Sequence, residues 1–102
     1  MSSLLTLVYA TMLPGLKEIA AKHGYTLAIH GSMERDFDIV AIPWVDSVSP
    51  PWELIRSIHE ALKCYDGGPV DGPEQKPHGR MAWVIPMGCG MALDVSVMPL
   101  IG

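Results

Sequence analysis

Three aspartates interrupt apolar stretches of this 102-residue chain. Asp36 and Asp38 sit two apart in DFDIVAI. Strict alternation there reads as a strand, which places both carboxylates on one face. Asp94 breaks a second apolar run, MALDVSVM, in the same way. If the two strands lie close together, three carboxylates converge. Crowded carboxylates repel one another and lose hydration, so they persist only with a compensating cation or a bound proton. Mg²⁺ or Mn²⁺ is the natural partner, since such ions bridge carboxylates to substrate phosphates. Asp36, Asp38 and Asp94 are therefore the candidate metal ligands and catalytic groups.

The remaining candidates would bind the rest of a ligand. Gly31 and Ser32 follow an apolar run, where glycine lets backbone N–H groups approach a phosphate and serine adds a hydroxyl donor. Lys76, His78 and Arg80 (KPHGR) form the dense basic cluster of a chain whose net charge is −4, a reasonable phosphate clamp. The plainer reading is a solvated loop end. His30, beside Gly31, is either a ligand group or a structural histidine. Of the three tryptophans, Trp44 is the one placed to stack on a base, because it follows Pro43 at a strand end. Ser32 and His30 do not complete a Ser-His-Asp triad, since no nucleophile elbow is present.

The elements that must carry these groups can be read from the periodicity. Residues 3–23 predict a helix with a break or restart at Pro14, an apolar stripe of Leu16, Ile19 and Ala20, and Gly24 as its left-handed cap. Tyr25–His30 and Asp36–Ile42 predict strands. Ser49-Pro50 signals a helix start, with Trp52, Ile55, Ile58 or His59, and Leu62 inward, an Arg56–Glu60 pair outward, and an end near Lys63. Residues 66–79 hold four Gly and three Pro in fourteen positions and read as a loop. Arg80–Met87 and Met91–Met98 read as a hairpin turning at Gly88-Cys89-Gly90. The expectation is a small α/β (α+β) sandwich: a four-stranded mixed sheet with two or three helices on one face.

The stretch Ile29-His30-Gly31-Ser32, then Asp36-Phe37-Asp38-Ile39, then Leu93-Asp94-Val95 resembles the minimal signature of the nucleotidyltransferase fold, the DNA polymerase beta superfamily. That resemblance implies that Gly31-Ser32 holds a triphosphate and that the three aspartates bind metal for nucleotidyl transfer. Only Met33, Glu34 and Arg35 separate Ser32 from Asp36, a shorter connection than the superfamily uses. The helical or acceptor-binding module common in its members is absent from this sequence. The whole chain also resembles small uncharacterised phage and prophage proteins, through blocks at residues 30–44 and 76–83. For such a protein the resemblance implies binding of a nucleotide or nucleotide-derived molecule, with sequestration of a host defence signal as one use. Two alternatives stand beside it: a Mg²⁺-dependent nucleotidyltransferase or phosphodiester-cleaving enzyme, and a protein–protein interaction module without a small ligand.

Composition bounds the rest. A chain of 102 residues is expected to form one domain and to bury roughly two thirds of its unfolded surface. An apolar content of 49% and a mean hydropathy of +0.26 exclude intrinsic disorder. Net charge −4 argues against general nucleic-acid binding, which needs a basic stripe. Charged residues at 18%, against the usual ~25%, together with seven Met, suggest that a second subunit covers apolar surface. Cys64 and Cys89 fit no zinc or disulfide pattern, and the apolar run Leu4–Leu13 is too short to span a bilayer. A reduced, cytoplasmic homo-oligomer is the expectation, in the host cytoplasm if the chain is phage-encoded.

Overall fold

The computed structural model describes residues 4–31, 36–65, 67–88 and 90–100. Helix α1 (Leu4–Lys22) leads into strands β1 (Tyr25–His30) and β2 (Asp36–Pro43). Helix α2 (Pro51–Ala61) follows, then β3 (Asp71–Gln75), β4 (Met81–Gly88) and β5 (Met91–Val97). The strands form one mixed sheet in the order β1-β2-β5-β4-β3, in which only β2 and β5 run parallel. Five strands replace the expected four. The extra one, β3, lies inside the segment 66–79 read as a loop. Its sequence DGPEQ lacks any strand-forming pattern, and all five residues are exposed. It holds its place by pairing with β4 at Asp71, Glu74 and Gln75, around a bulge.

One face of the sheet carries the core. Tyr25 and Leu27, Phe37, Ile39 and Ala41, Leu93, Val95 and Val97, and Trp83, Ile85 and Met87 are all buried there. They pack against Tyr9, Leu16 and Ala20 of α1 and Leu54, Ile55 and Ile58 of α2 in a single cluster. The other face bears the alternate residues, and among the described residues neither α1 nor α2 packs on it.

Several helix details differ from expectation. α1 runs unbroken through Pro14. Pro14 and Ala10, whose carbonyl loses its helical donor, both lie on the exposed side, where water can serve. Gly24 does cap the helix, at φ +87°, and a Cβ there would come within 2.8 Å of Val45. Pro50, not Ser49, is the N-cap of α2, because Ser49 is engaged with His23 instead. α2 ends at Ala61 and gives way to a 3₁₀ turn at Lys63–Tyr65. Trp52 is exposed rather than inward, and Arg56 stacks over its ring at 4.9 Å. Glu60 pairs with Lys63 at 3.0 Å, not with Arg56. Gly88 pairs directly with Met91 across the expected hairpin, whose Cys89 lies outside the described residues. No helix among the described residues is long and apolar enough to cross a membrane.

Candidate functional site

The helix-free face of the sheet is where the alternation puts the aspartates, and register brings two of them together. Asp38 stands opposite Asp94 across the parallel β2–β5 pair. On its other side Asp38 pairs with His30 of β1, while Asp94 pairs with Val84 of β4, and Val84 with Asp71 of β3. A single row, His30–Asp38–Asp94–Val84–Asp71, thus crosses all five strands.

Two basic side chains reach this row from one end of β3. The Lys76 backbone N–H donates to the Arg80 carbonyl at 2.8 Å, closing a turn that brings residues 76 and 80 together. Lys76, Arg80, Asp38, Asp94, His30 and Ser96 line one cleft of about 190 Å³. An adjoining cleft of about 150 Å³ shares Lys76 and Asp94 and extends to Asp71 and Glu74. Together they form a groove across the sheet with two carboxylates on its floor and two cations at its side.

Charge sets the character of that groove. Burial pushes the Asp94 carboxyl above the usual carboxylate range. Asp38 adds to this by repulsion, Lys76 opposes it, and Asp36 and Glu74 raise it further. Lys76 is itself held by Glu74, Nζ to Oε1 at 3.2 Å. Arg80 carries the converse signature: its Nε is buried and has no hydrogen-bond partner among the described residues. A buried donor without an acceptor costs free energy.

The expected site residues divide accordingly. His30, Asp38, Asp94, Lys76 and Arg80 come together. Gly31 sits against this group at φ +86°, a conformation that other residues rarely adopt, and a Cβ built there would lie 3.2 Å from Asp38 Oδ2. Asp36 shares the face but stands one step further along, opposite Ala92 and off the cleft wall. Among the described residues no three His, Cys, Asp or Glu side chains group closely enough to hold a metal ion by themselves, so the three aspartates are not a ready-made cage. Ser32 lies outside the described residues.

Two candidates are corrected. Trp44 follows the opposite end of β2, about 20 Å from Asp38 at ~3.3 Å per residue, and borders a different groove with Lys17 and Tyr25. The strand direction that puts Asp38 at the cleft carries Trp44 away from it. His78 sits at the exposed tip of the 76–80 turn with φ 68° and does not line the cleft. Three contributors went unnamed. Ser96 shares the period-2 face of Asp94 and could have been read from it. Asp71 and Glu74 lie in the Gly- and Pro-rich segment that predicts a loop closing over the pocket, and neither carries a signal of its own in the sequence.

Against known proteins, the chain matches no family model, no curated protein and no solved structure.

Proposed function

We propose that this protein binds the phosphates of a nucleotide together with a divalent cation, in the groove on the helix-free face of its sheet. The observation that carries this reading is the pairing of Asp38 with Asp94 in one cleft with Lys76 and Arg80. Carboxylates alone would suit a bare cation, and cations alone a bare anion. Both kinds side by side suit an anion that brings its own metal. Mg²⁺ needs only one or two carboxylates when phosphate oxygens and water complete its shell, so Asp38 and Asp94 fit it without a third protein ligand. When bound there, the ion would neutralise phosphate charge; Lys76 and Arg80, which line the cleft, would grip the remaining phosphate oxygens. The adjoining cleft toward Asp71 and Val84 gives the sugar and base room.

A second reading, Mg²⁺-dependent nucleotidyl transfer or phosphodiester cleavage, is favoured by Asp36, which lies on the same face and would supply a further carboxylate to the substrate complex.

A melting-temperature panel tests both. ATP, GTP, cyclic dinucleotides and inorganic phosphate are each added with and without Mg²⁺. A binder raises Tm only when nucleotide and Mg²⁺ are both present, by an amount equivalent to ~2.7 kcal/mol at a hundredfold excess over Kd. The nucleotide recovered after denaturation is intact for a binder and altered for an enzyme. A flat response across the panel, or one unchanged by Asp38→Asn, overturns the proposal and leaves the interaction module.

A further inference from the structure

The two edges of the sheet are built differently. β3 carries Asp71, Pro73, Glu74 and a bulge, the devices that stop an edge strand from pairing with another chain. β1, YTLAIH, has no carboxylate, lysine, arginine, proline or bulge, and pairs with β2 in unbroken register over all six residues. Its outer rim is therefore an undefended edge.

The hydrogen-bond phase of that rim can be derived. Trp44 N–H donates to the Gly24 carbonyl at 3.1 Å, so positions 24 and 44 form a hydrogen-bonded antiparallel pair. Stepping by two, Thr26, Ala28 and His30 spend their main-chain groups on β2. Tyr25, Leu27 and Ile29 turn theirs outward.

Beside this rim runs a groove of about 390 Å³ lined by Lys17, Ala21, Tyr25, Thr26, Leu27 and Trp44. Ile29, four residues along on the same helix-side face, is 43% exposed although an isoleucine, and Trp44 is 65% exposed. Groove and exposed side chain lie on either side of Leu27. We propose that the partner for this edge is a second copy of the chain, whose β1 adds antiparallel about a two-fold axis through Leu27.

The register follows without adjustment. Leu27 opposes its own copy, and Tyr25 opposes Ile29 of the other chain. Each two-fold-related Ile29 is thereby carried to the groove beside Tyr25 and Ala21. All three outward residues gain main-chain partners, and β1 itself brings no Asp, Glu, Lys or Arg to the seam. The result is a ten-stranded sheet with both helix layers on one side and both clefts on the other, and His30 of each cleft lies next to Gly24 of the second copy. This proposal stands apart from the nucleotide reading, since it uses the edge and not the groove floor.

Sedimentation velocity and a cross-linking pair test it. The intact chain is expected at twice its 11.1 kDa mass at about 100 µM. Ile29→Lys, at a half-exposed position that leaves the protomer folded by circular dichroism, is expected to weaken the dimer at least roughly tenfold. The register is tested by Thr26→Cys and Ala28→Cys, made separately in a Cys64→Ser, Cys89→Ser background. Positions 26 and 28 face each other in a non-hydrogen-bonded pair, close enough for a disulfide. On oxidation, the mixture of the two variants should cross-link more than either alone. A monomeric wild-type chain, a dimer indifferent to Ile29→Lys, or equal cross-linking in all three samples overturns the proposal.

Discussion

Asp38 and Asp94 occupy the same register position on adjacent parallel strands, so two carboxylates lie side by side on the floor of one cleft. Lys76 lies close enough to ease the charge on Asp94, but burial and the neighbouring carboxylate together outweigh it.

That balance has a pH signature. The folded-state pKa of Asp94 is raised above its unfolded value, so the favourable contribution is complete below the unfolded range, about pH 4, and is lost as pH rises through the folded value. Asp94→Asn, which carries no charge at any pH, should therefore melt higher than wild type near pH 7.5. The difference should shrink toward about pH 3, where both proteins are neutral at this position. Melting curves across that range check it; a wild type that melts higher than Asp94→Asn at neutral pH would contradict it.

The basic side chains separate binding from stability. Removing Arg80 as Arg80→Met takes away a buried donor that no described protein group satisfies, so Tm should hold or rise. A charge-assisted contact to phosphate is worth ~1.5–3 kcal/mol, which corresponds to roughly 10- to 100-fold in affinity. Calorimetric titration with the nucleotide found in the melting panel should show that loss for Arg80→Met. Lys76→Ala should show a smaller one, because Glu74 already holds Lys76.

How legible this site was depends on which signal placed each residue. Period-2 alternation around Asp36, Asp38 and Asp94 assigned their faces correctly, and Leu93, Val95 and Val97 confirm it by their burial opposite Asp94. Alternation says nothing about register, so it could not distinguish Asp38, which meets Asp94, from Asp36, which meets Ala92. Trp44 was misplaced for a related reason. A strand end is a good place for a stacking ring, but only at the end that faces the ligand. β3 was not legible because its residues argue against a strand. Tertiary pairing with β4 overrides a local preference that Gly72 and Pro73 make poor. Pro14 shows the same override in a helix, where burial of Tyr9, Leu16 and Ala20 on one side carries the chain past a residue that lacks its donor.

Tyr9 ties α1 to the strand that bears Asp94. Its ring is fully buried against Phe37 at a centroid distance of 5.1 Å, and its hydroxyl accepts from the Ala92 N–H at 3.2 Å. Tyr9→Phe keeps the packing and leaves that N–H without its acceptor, for an expected loss of about 1–2 kcal/mol. Tyr9→Ala adds a cavity and should cost ~3–5 kcal/mol. Urea denaturation reads both, and near-equal losses would mean that the hydroxyl rather than the ring carries the stability.

His23 is the corresponding tie at the other end of α1. Its Nδ1 lies 2.9 Å from Ser49 Oγ and its Nε2 2.9 Å from Ser57 Oγ, so one imidazole joins the end of α1 to the loop before α2 and to α2 itself. Each ring nitrogen has a hydroxyl partner, and a hydroxyl can donate or accept as the tautomer requires. His23→Ala removes both bonds and leaves two half-buried hydroxyls to find water, an expected cost of about 1–3 kcal/mol. Ser57→Ala removes one of the two and should cost less. Because both substitutions break the His23–Ser57 contact, the double variant should lose less than the sum of the singles, by ~0.5 kcal/mol or more. Urea midpoints at unchanged m-value measure this coupling directly. Strict additivity would show that the His23–Ser57 hydrogen bond contributes nothing net.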